Sequence, residues 1–193
     1  MKIRRVKSIM VPVEEYATVK EDASLHDAVR ALSEAQSALK REDYKHKALL
    51  VYDCTGLFVI GKISQLDIIR ALEPKYRKAI EKDSQATSGL SRFGLSPDYV
   101  KSLSSEFDLW DQPLESLIEK AALMKVKDFM YTPSGGEFVS EDAALADAIH
   151  QLMLGRHQSL IVMKNNDITG ILRLVDIFSE VCDLILTKNG NNL

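Results

Sequence analysis

Val6-Lys7-Ser8-Ile9-Met10 returns as Val126-Lys127-Asp128-Phe129-Met130, an offset of 120 (126 − 6), with Pro12 and Pro133 two or three residues beyond the methionines. The same offset carries Val19-Lys20-Glu21-Asp22-Ala23-Ser24-Leu25-His26-Asp27-Ala28-Val29 onto Val139-Ser140-Glu141-Asp142-Ala143-Ala144-Leu145-Ala146-Asp147-Ala148-Ile149. Chance similarity does not hold register that long, so the chain is a duplication. The offset falls to 111 (157 − 46) where His46-Lys47-Ala48-Leu49-Leu50-Val51 meets His157-Gln158-Ser159-Leu160-Ile161-Val162, and to 109 (170 − 61) where Gly61 meets Gly170. The first copy thus carries nine extra residues between Leu32 and His46 and two in the next turn, both where connections belong.

Each copy reads as strand, helix, strand, turn, strand, helix. Leu25, Ala28, Val29 and Leu32 stand at helical spacing behind a cap at Asp22 or Ser24, and Leu145, Ala148, Ile149 and Leu152 repeat the stripe as core. Ala48–Tyr52 and Ser159–Met163 are short β-rich runs. Turn residues follow in Asp53-Cys54-Thr55-Gly56 and Asn165-Asn166-Asp167, and Leu57–Ile60 and Ile168–Thr169 return as hairpin partners. Gly61 and Gly170 then end these strands. Three residues on stand Ser64 and Arg173, and three further Asp67 and Asp176 open apolar helical runs. Polar groups at such a strand-to-helix junction suit small anionic ligands, because free backbone N–H groups and the helix dipole favour negative charge there.

From Glu73 to about Lys125 nothing repeats. Pro74 starts a helix through Ile80, and Ser84–Gly94 reads as loop. Ser96-Pro97 caps a helix carrying Tyr99, Val100, Leu103 and Phe107, and Asp111 with Pro113 precedes a stripe of Leu114, Leu117, Ile118 and Ala121. The segment is too apolar for a flexible linker, and the expectation is helices packed against the repeats with Trp110 buried. The last helix, from Asp176 to about Thr187, is apolar on more than one face, which points to a subunit interface.

Of the 193 residues 46% are hydrophobic and 27% charged, which excludes wholesale disorder. A net charge of −3 gives no general attraction to nucleic acid, and none is expected as a partner. The basic start (Lys2, Arg4, Arg5, Lys7) is either a solvated terminus or a phosphate contact through Arg4 or Arg5. Cys54 and Cys182 lack the spacing of a metal or redox motif, so a reducing, cytoplasmic setting is expected. Met1–Val13 has the charges of a leader peptide, but Ser8 and Pro12 break an already short apolar stretch. No apolar run reaches membrane-span length, so direct membrane insertion is not expected.

Taken together, Val-Lys-x-x-Met with its proline, the Glu-Asp-Ala-x-Leu-x-Asp-Ala helix start and the glycine turn ending in Asp-Ile, each present twice and in order, resemble the tandem cystathionine-β-synthase (CBS) domain, or Bateman module. The resemblance covers most of residues 3–72 and 123–187. It implies an α+β fold of two pseudo-symmetric repeats (β-α-β-β-α) packed through their sheets, with residues 1–72 and 123–193 as the repeats and 73–122 as a helical insertion. It further implies clefts for adenosine-containing ligands such as AMP, ADP, ATP or S-adenosylmethionine. The residue three after the glycine would contact phosphate and the next aspartate the ribose hydroxyls: Ser64 and Asp67 in the first copy, Arg173 and Asp176 in the second. Adenine would lie against backbone near Thr18-Val19 and Phe138-Val139, and near His46–Ala48 and His157–Ser159.

The chemistry fits, since a carboxylate accepts from two vicinal hydroxyls and a hydroxyl or guanidinium donates to phosphate. Equally, Asp67 and Asp176 serve as plain N-caps worth about 1 kcal/mol each, and His46 and His157 as surface or capping residues at strand starts. Arg173 departs from the usual Ser or Thr of the resemblance. It either adds charge for a multiply phosphorylated ligand or pairs with an acid and leaves its site degenerate. His26 falls beside Ala146 and His150 beside Arg30, so the histidines form no repeated constellation and no metal site is expected. The leading expectation is a non-catalytic sensor, needing no cofactor, that binds an adenine nucleotide, homodimerises and signals to a separate effector protein. The alternative is a scaffold for oligomerisation that has lost ligand binding. With no nucleophile elbow, P-loop or HExxH, an enzyme is the weakest reading.

Overall fold

The computed structural model describes residues 4–38, 48–76, 78–79 and 96–190; the expectations for His46 and for the Ser84–Gly94 loop lie outside these residues. The fold is α+β, with two sheets and seven helices among the described residues. The chain divides into two compact units, residues 18–131 and residues 1–17 with 132–193. These units are not the sequence repeats. The opening segment of each copy, Val-Lys-x-x-Met, belongs to the unit that contains the body of the other copy.

In the 18–131 unit, β2 (Thr18–Lys20) pairs in parallel with β3 (Ala48–Tyr52), and β3 pairs antiparallel with β4 (Val59–Ser64). Helix α1 (Leu25–Ala38) connects β2 to β3, and α2 (Gln65–Leu72) follows β4. Ser24 caps α1 through a reciprocal box with Asp27: the Asp27 amide donates to Ser24 Oγ at 3.1 Å, and the Ser24 amide to Asp27 Oδ2 at 3.1 Å. Helices α3 (Pro97–Glu106) and α4 (Leu114–Ala122) come next, then the single turn α5 (Val126–Phe129). Ser96 caps α3 as its sequence requires, accepting from the Tyr99 amide at 3.2 Å. Buried Leu25, Ala28 and Leu32 carry the α1 stripe, but Val29 is 44% exposed and faces away from it.

The other unit holds the four-stranded sheet β1-β7-β6-β5, made of β1 (Val11–Pro12), β5 (Phe138–Ser140), β6 (Ser159–Lys164) and β7 (Asp167–Arg173). Helix α6 (Leu145–Gly155) lies between β5 and β6, and α7 (Leu174–Gly190) closes the chain. Its core gathers Val6, Leu145, Ala148, Leu152, Leu160, Val162, Leu172 and Ile177. Each fully buried leucine among these is worth roughly 2 kcal/mol of transfer free energy. The hairpin turn uses Asn165 and Asn166 at φ 49° and 72°, a left-handed pair that asparagine tolerates. The first copy's longer turn places Gly56 at φ 75°.

The segment exchange obeys the 120-residue offset bond by bond. Val6 N–H donates to Ala143 at 3.1 Å and Lys7 N–H to Glu141 at 3.0 Å; Val126 N–H donates to Ala23 at 2.9 Å and Lys127 N–H to Glu21 at 3.0 Å. Next, Val11 pairs with Ile171 beside β7, and Tyr131 bridges Lys62 beside β4.

This arrangement corrects the reading of the glycines as strand ends, because Gly61 and Gly170 lie within β4 and β7. A Cβ on Gly61 would meet Met130 Sδ at 2.9 Å and the Tyr131 carbonyl at 3.0 Å; one on Gly170 would meet the Val11 carbonyl at 2.5 Å and Met10 Sδ at 3.0 Å. The glycines are there because the exchanged segment crosses them at backbone distance. The return strands consequently run on to Ser64 and Arg173, past their expected ends at Ile60 and Thr169.

Trp110 is a second correction. It is 39% exposed rather than buried, because a turn with Trp110 at φ 58° follows α3 and turns the ring outward. Its amide donates to buried Glu73 at 3.0 Å and its indole N–H to the Tyr76 hydroxyl at 2.6 Å, edge-on to that ring. No helix among the described residues is long and apolar enough to cross a membrane.

Candidate functional site

In the 18–131 unit, β3 and β4 run antiparallel with Ala48 opposite Ser64, while Thr18 and Val19 of β2 pair with Leu50 and Val51. Thr18, Ala48 and Ser64 therefore gather at one end of the sheet, and Asp67 stands one turn into α2 above it. Ser64, extended at φ −92° and ψ 167°, forms a capping box with Asp67. Its amide and hydroxyl both donate to Asp67 Oδ2, at 2.8 and 2.6 Å, and the Asp67 amide donates to Ser64 Oγ at 3.2 Å. This is the device that also starts α1, so the box accounts for the helix start by itself. What α1 lacks is the surroundings. Asp67 borders a cleft of about 420 Å³ within this unit, lined also by Arg70, Lys78, Asp128, Met130 and Tyr131. Arg70 Nη1 lies 3.8 Å from Asp67 Oδ1, beyond hydrogen-bond reach, and Lys62 lies 5.2 Å over the Tyr131 ring.

The other unit repeats the backbone but not the chemistry. Ser159 pairs with Arg173 as Ala48 does with Ser64, and Phe138 and Val139 pair with Ile161 and Val162. Arg173 stands where Ser64 does, and its guanidinium donates to both oxygens of Asp176: Nε to Oδ2 at 2.6 Å and Nη2 to Oδ1 at 2.5 Å. Both side chains are about nine-tenths buried. Tyr16 is 7% exposed and lies within electrostatic reach of this pair. Burial pushes its hydroxyl up to about 12, with Arg173 pulling down and Asp176 pushing up, so the phenol is neutral at physiological pH. Gln151 Nε2 donates to the Phe138 carbonyl at 2.9 Å and to the Gly136 carbonyl at 2.6 Å.

His157 does not join this group. It follows the left-handed Arg156 at the end of α6, its amide donates to the Leu152 carbonyl at 3.0 Å, and its ring packs against Gly155. The basic start is likewise taken up within its own unit: Arg4 pairs with Glu180, and Arg5 and Lys7 with Asp142.

Sequence reasoning missed Tyr16, Gln151, Arg70 and Lys78. The signal available for the first two was a break in the repeat, since Tyr16 aligns with Gly136 and Gln151 with Ala31. Arg70 stands on α2 and Lys78 beyond its end at Leu72, and the second copy's opening segment, Asp128 to Tyr131, lines the cleft with them.

A family model described as the CBS domain matches residues 6–74 and 126–183. No curated protein matches the sequence. Among solved structures, the chain is similar to the CBS-pair protein CBSX2 from Arabidopsis thaliana, at 19% identity over 95% of this chain and 97% of that one, with a TM-score of 0.57. CBSX2 has also been solved in complex with AMP, matching at 19% identity over 93% and 97% of the two chains with a TM-score of 0.55. The CBS domain of a bacterial CNNM/CorC family Mg2+ transporter, solved in complex with ATP, matches at 15% identity over 92% and 87%, with a TM-score of 0.57.

Proposed function

Since this chain belongs to the CBS domain family, we propose that it is a regulatory module that binds an adenine nucleotide and passes the signal to another protein. In this reading residues 1–72 and 123–193 are its repeats and 73–122 the helical segment between them. The observation that carries it is Asp67, a partly buried carboxylate that lines a cleft, with Oδ2 held by the capping box and Oδ1 accepting no hydrogen bond, its ion-pair neighbour Arg70 standing at 3.8 Å. That second oxygen suits a ribose diol, which offers two O–H donors. Ser64 orients it, and Arg70 and Lys78 of the same cleft supply positive charge for phosphate; the backbone of Thr18-Val19 and of Ala48, assigned to the base, lies at the sheet end outside the residues that line this cleft. The AMP and ATP complexes of the structural relatives support the class of ligand.

The partner reading rests on a repeated surface. Leu66 and Ile69 on α2 are 55% and 53% exposed; at the 109-residue offset Val175 and Phe178 on α7 are 39% and 65% exposed. Two equivalent apolar faces on one chain suit a second copy of that chain, so homodimerisation is part of the proposal. A reducing, cytoplasmic setting is also part of it, supported by Cys54 and Cys182, which are both free thiols.

Isothermal titration with AMP, ADP, ATP and S-adenosylmethionine tests the ligand, and heat from at least one, lost in Asp67→Ala, is expected. No heat from any of the four would leave the scaffold reading standing. Nucleotide turnover that disappears in Asp67→Ala would replace both with an enzyme.

A further inference from the structure

Resting on that reading, we infer that the chain takes one nucleotide, in the 18–131 unit, because the equivalent position in the other unit is already filled by the chain's own side chains. A ribose diol needs a carboxylate with open acceptor positions. Asp67 keeps one, since Ser64 uses Oδ2 alone and Arg70 stays 3.8 Å from Oδ1. Asp176 accepts from Arg173 at both oxygens; each oxygen keeps a lone pair, but the guanidinium fork covers the carboxylate edge that a diol would approach, and both side chains are about nine-tenths buried.

Displacing Arg173 would part a buried guanidinium from its carboxylate, so a ligand would have to offset that loss. Tyr16 is buried and within electrostatic reach of both Arg173 and Asp176. The Phe138 carbonyl, which an adenine amino group would use, accepts from Gln151, whose counterpart Ala31 has no donor. Arg173 and Gln151 therefore depart from Ser64 and Ala31 in the same direction, each donating to an acceptor that a ligand would use. Arg173 is thus a specificity residue that fixes stoichiometry: it does to Asp176 what a ligand would do.

Titration of the full chain with ATP and with AMP, supported by equilibrium dialysis, decides this. One molecule bound per chain is expected for the unaltered protein, rising to two in Arg173→Ser, which recreates the Ser-x-x-Asp box of the other unit. The double change Arg173→Ser with Asp176→Ala should return to one. Two molecules bound by the unaltered protein would overturn the inference and leave the nucleotide reading intact. An Arg173→Ser variant that melts cooperatively and still binds one would do the same. No binding by the unaltered protein removes the nucleotide reading itself, and the inference with it. The count on the unaltered protein stands even where Arg173→Ser fails to fold.

Discussion

Ser64 with Asp67 and Arg173 with Asp176 occupy the same place in two copies of one fold, yet they solve the start of a helix by different physics. The first pair is a neutral hydroxyl reciprocating hydrogen bonds with a carboxylate, which costs little to assemble and leaves an acceptor over. The second is an ion pair almost wholly out of water, in which two desolvation penalties are offset only while both partners are present. The two junctions share a backbone and differ in chemistry: the first leaves Asp67 Oδ1 without a hydrogen bond, and in the second both Asp176 oxygens accept from Arg173.

The largest test of this contrast is to break each junction from its helix-opening side. Arg173→Ala should lower stability by about 3–5 kcal/mol, because it leaves the Asp176 charge buried without its fork; Ser64→Ala should cost about 1 kcal/mol, the ordinary worth of a cap. Chemical denaturation of both variants at neutral pH checks the difference, and equal losses would show that the buried pair is no more than a cap.

The next effect is a pH dependence specific to the 1–17 and 132–193 unit. Tyr16 has a folded-state value of about 12 against an ordinary 10, so its contribution is fully present below pH 10 and is lost as pH rises toward 12. Over that window stability should fall by as much as roughly 2–3 kcal/mol. Denaturation between pH 9 and 12 should show the slope in the unaltered protein and not in Tyr16→Phe, which separates it from the general titration of lysines.

The smallest contrast concerns the two crossing points. Gly170→Ala would drive a methyl into the Val11 carbonyl at 2.5 Å, a backbone atom that cannot step aside, and should cost about 3 kcal/mol. Gly61→Ala meets the Met130 sulfur at 2.9 Å and the Tyr131 carbonyl at 3.0 Å, both looser than the 2.5 Å at Gly170, and should cost about 1 kcal/mol. Melting curves of the two single variants would reverse the argument if Gly61→Ala proved the more damaging.

Much of this architecture could be read from residues that act locally. Ser96-Pro97 caps α3, Asn165-Asn166 makes the tight turn, and the β3 and β6 runs start at Ala48 and Ser159, because a cap, a left-handed turn or an apolar run is decided within a few residues. The candidate aspartates were legible for the same reason, since each sits three residues into its helix. Exposed Trp110 was not, because its orientation follows from a positive φ and from Glu73, 37 positions earlier in the chain.

The repeat itself, its elements and the Ser64 and Arg173 difference belong to the sequence alone. Which half each opening segment joins does not. By the 120-residue symmetry Val6 could donate to Ala23 as well as to Ala143, and Val126 to either in turn, with the same residue types meeting in both cases. Local chemistry is equal in the two arrangements, so the sequence pattern carries no preference. The choice is made by the tertiary structure, where the exchanged segments lie over Gly61 and Gly170 and wall the cleft beside Asp67. The fate of Arg173 was decided there too: its spacing to Asp176 permitted a pair, but only burial of both groups makes that pair costly to open.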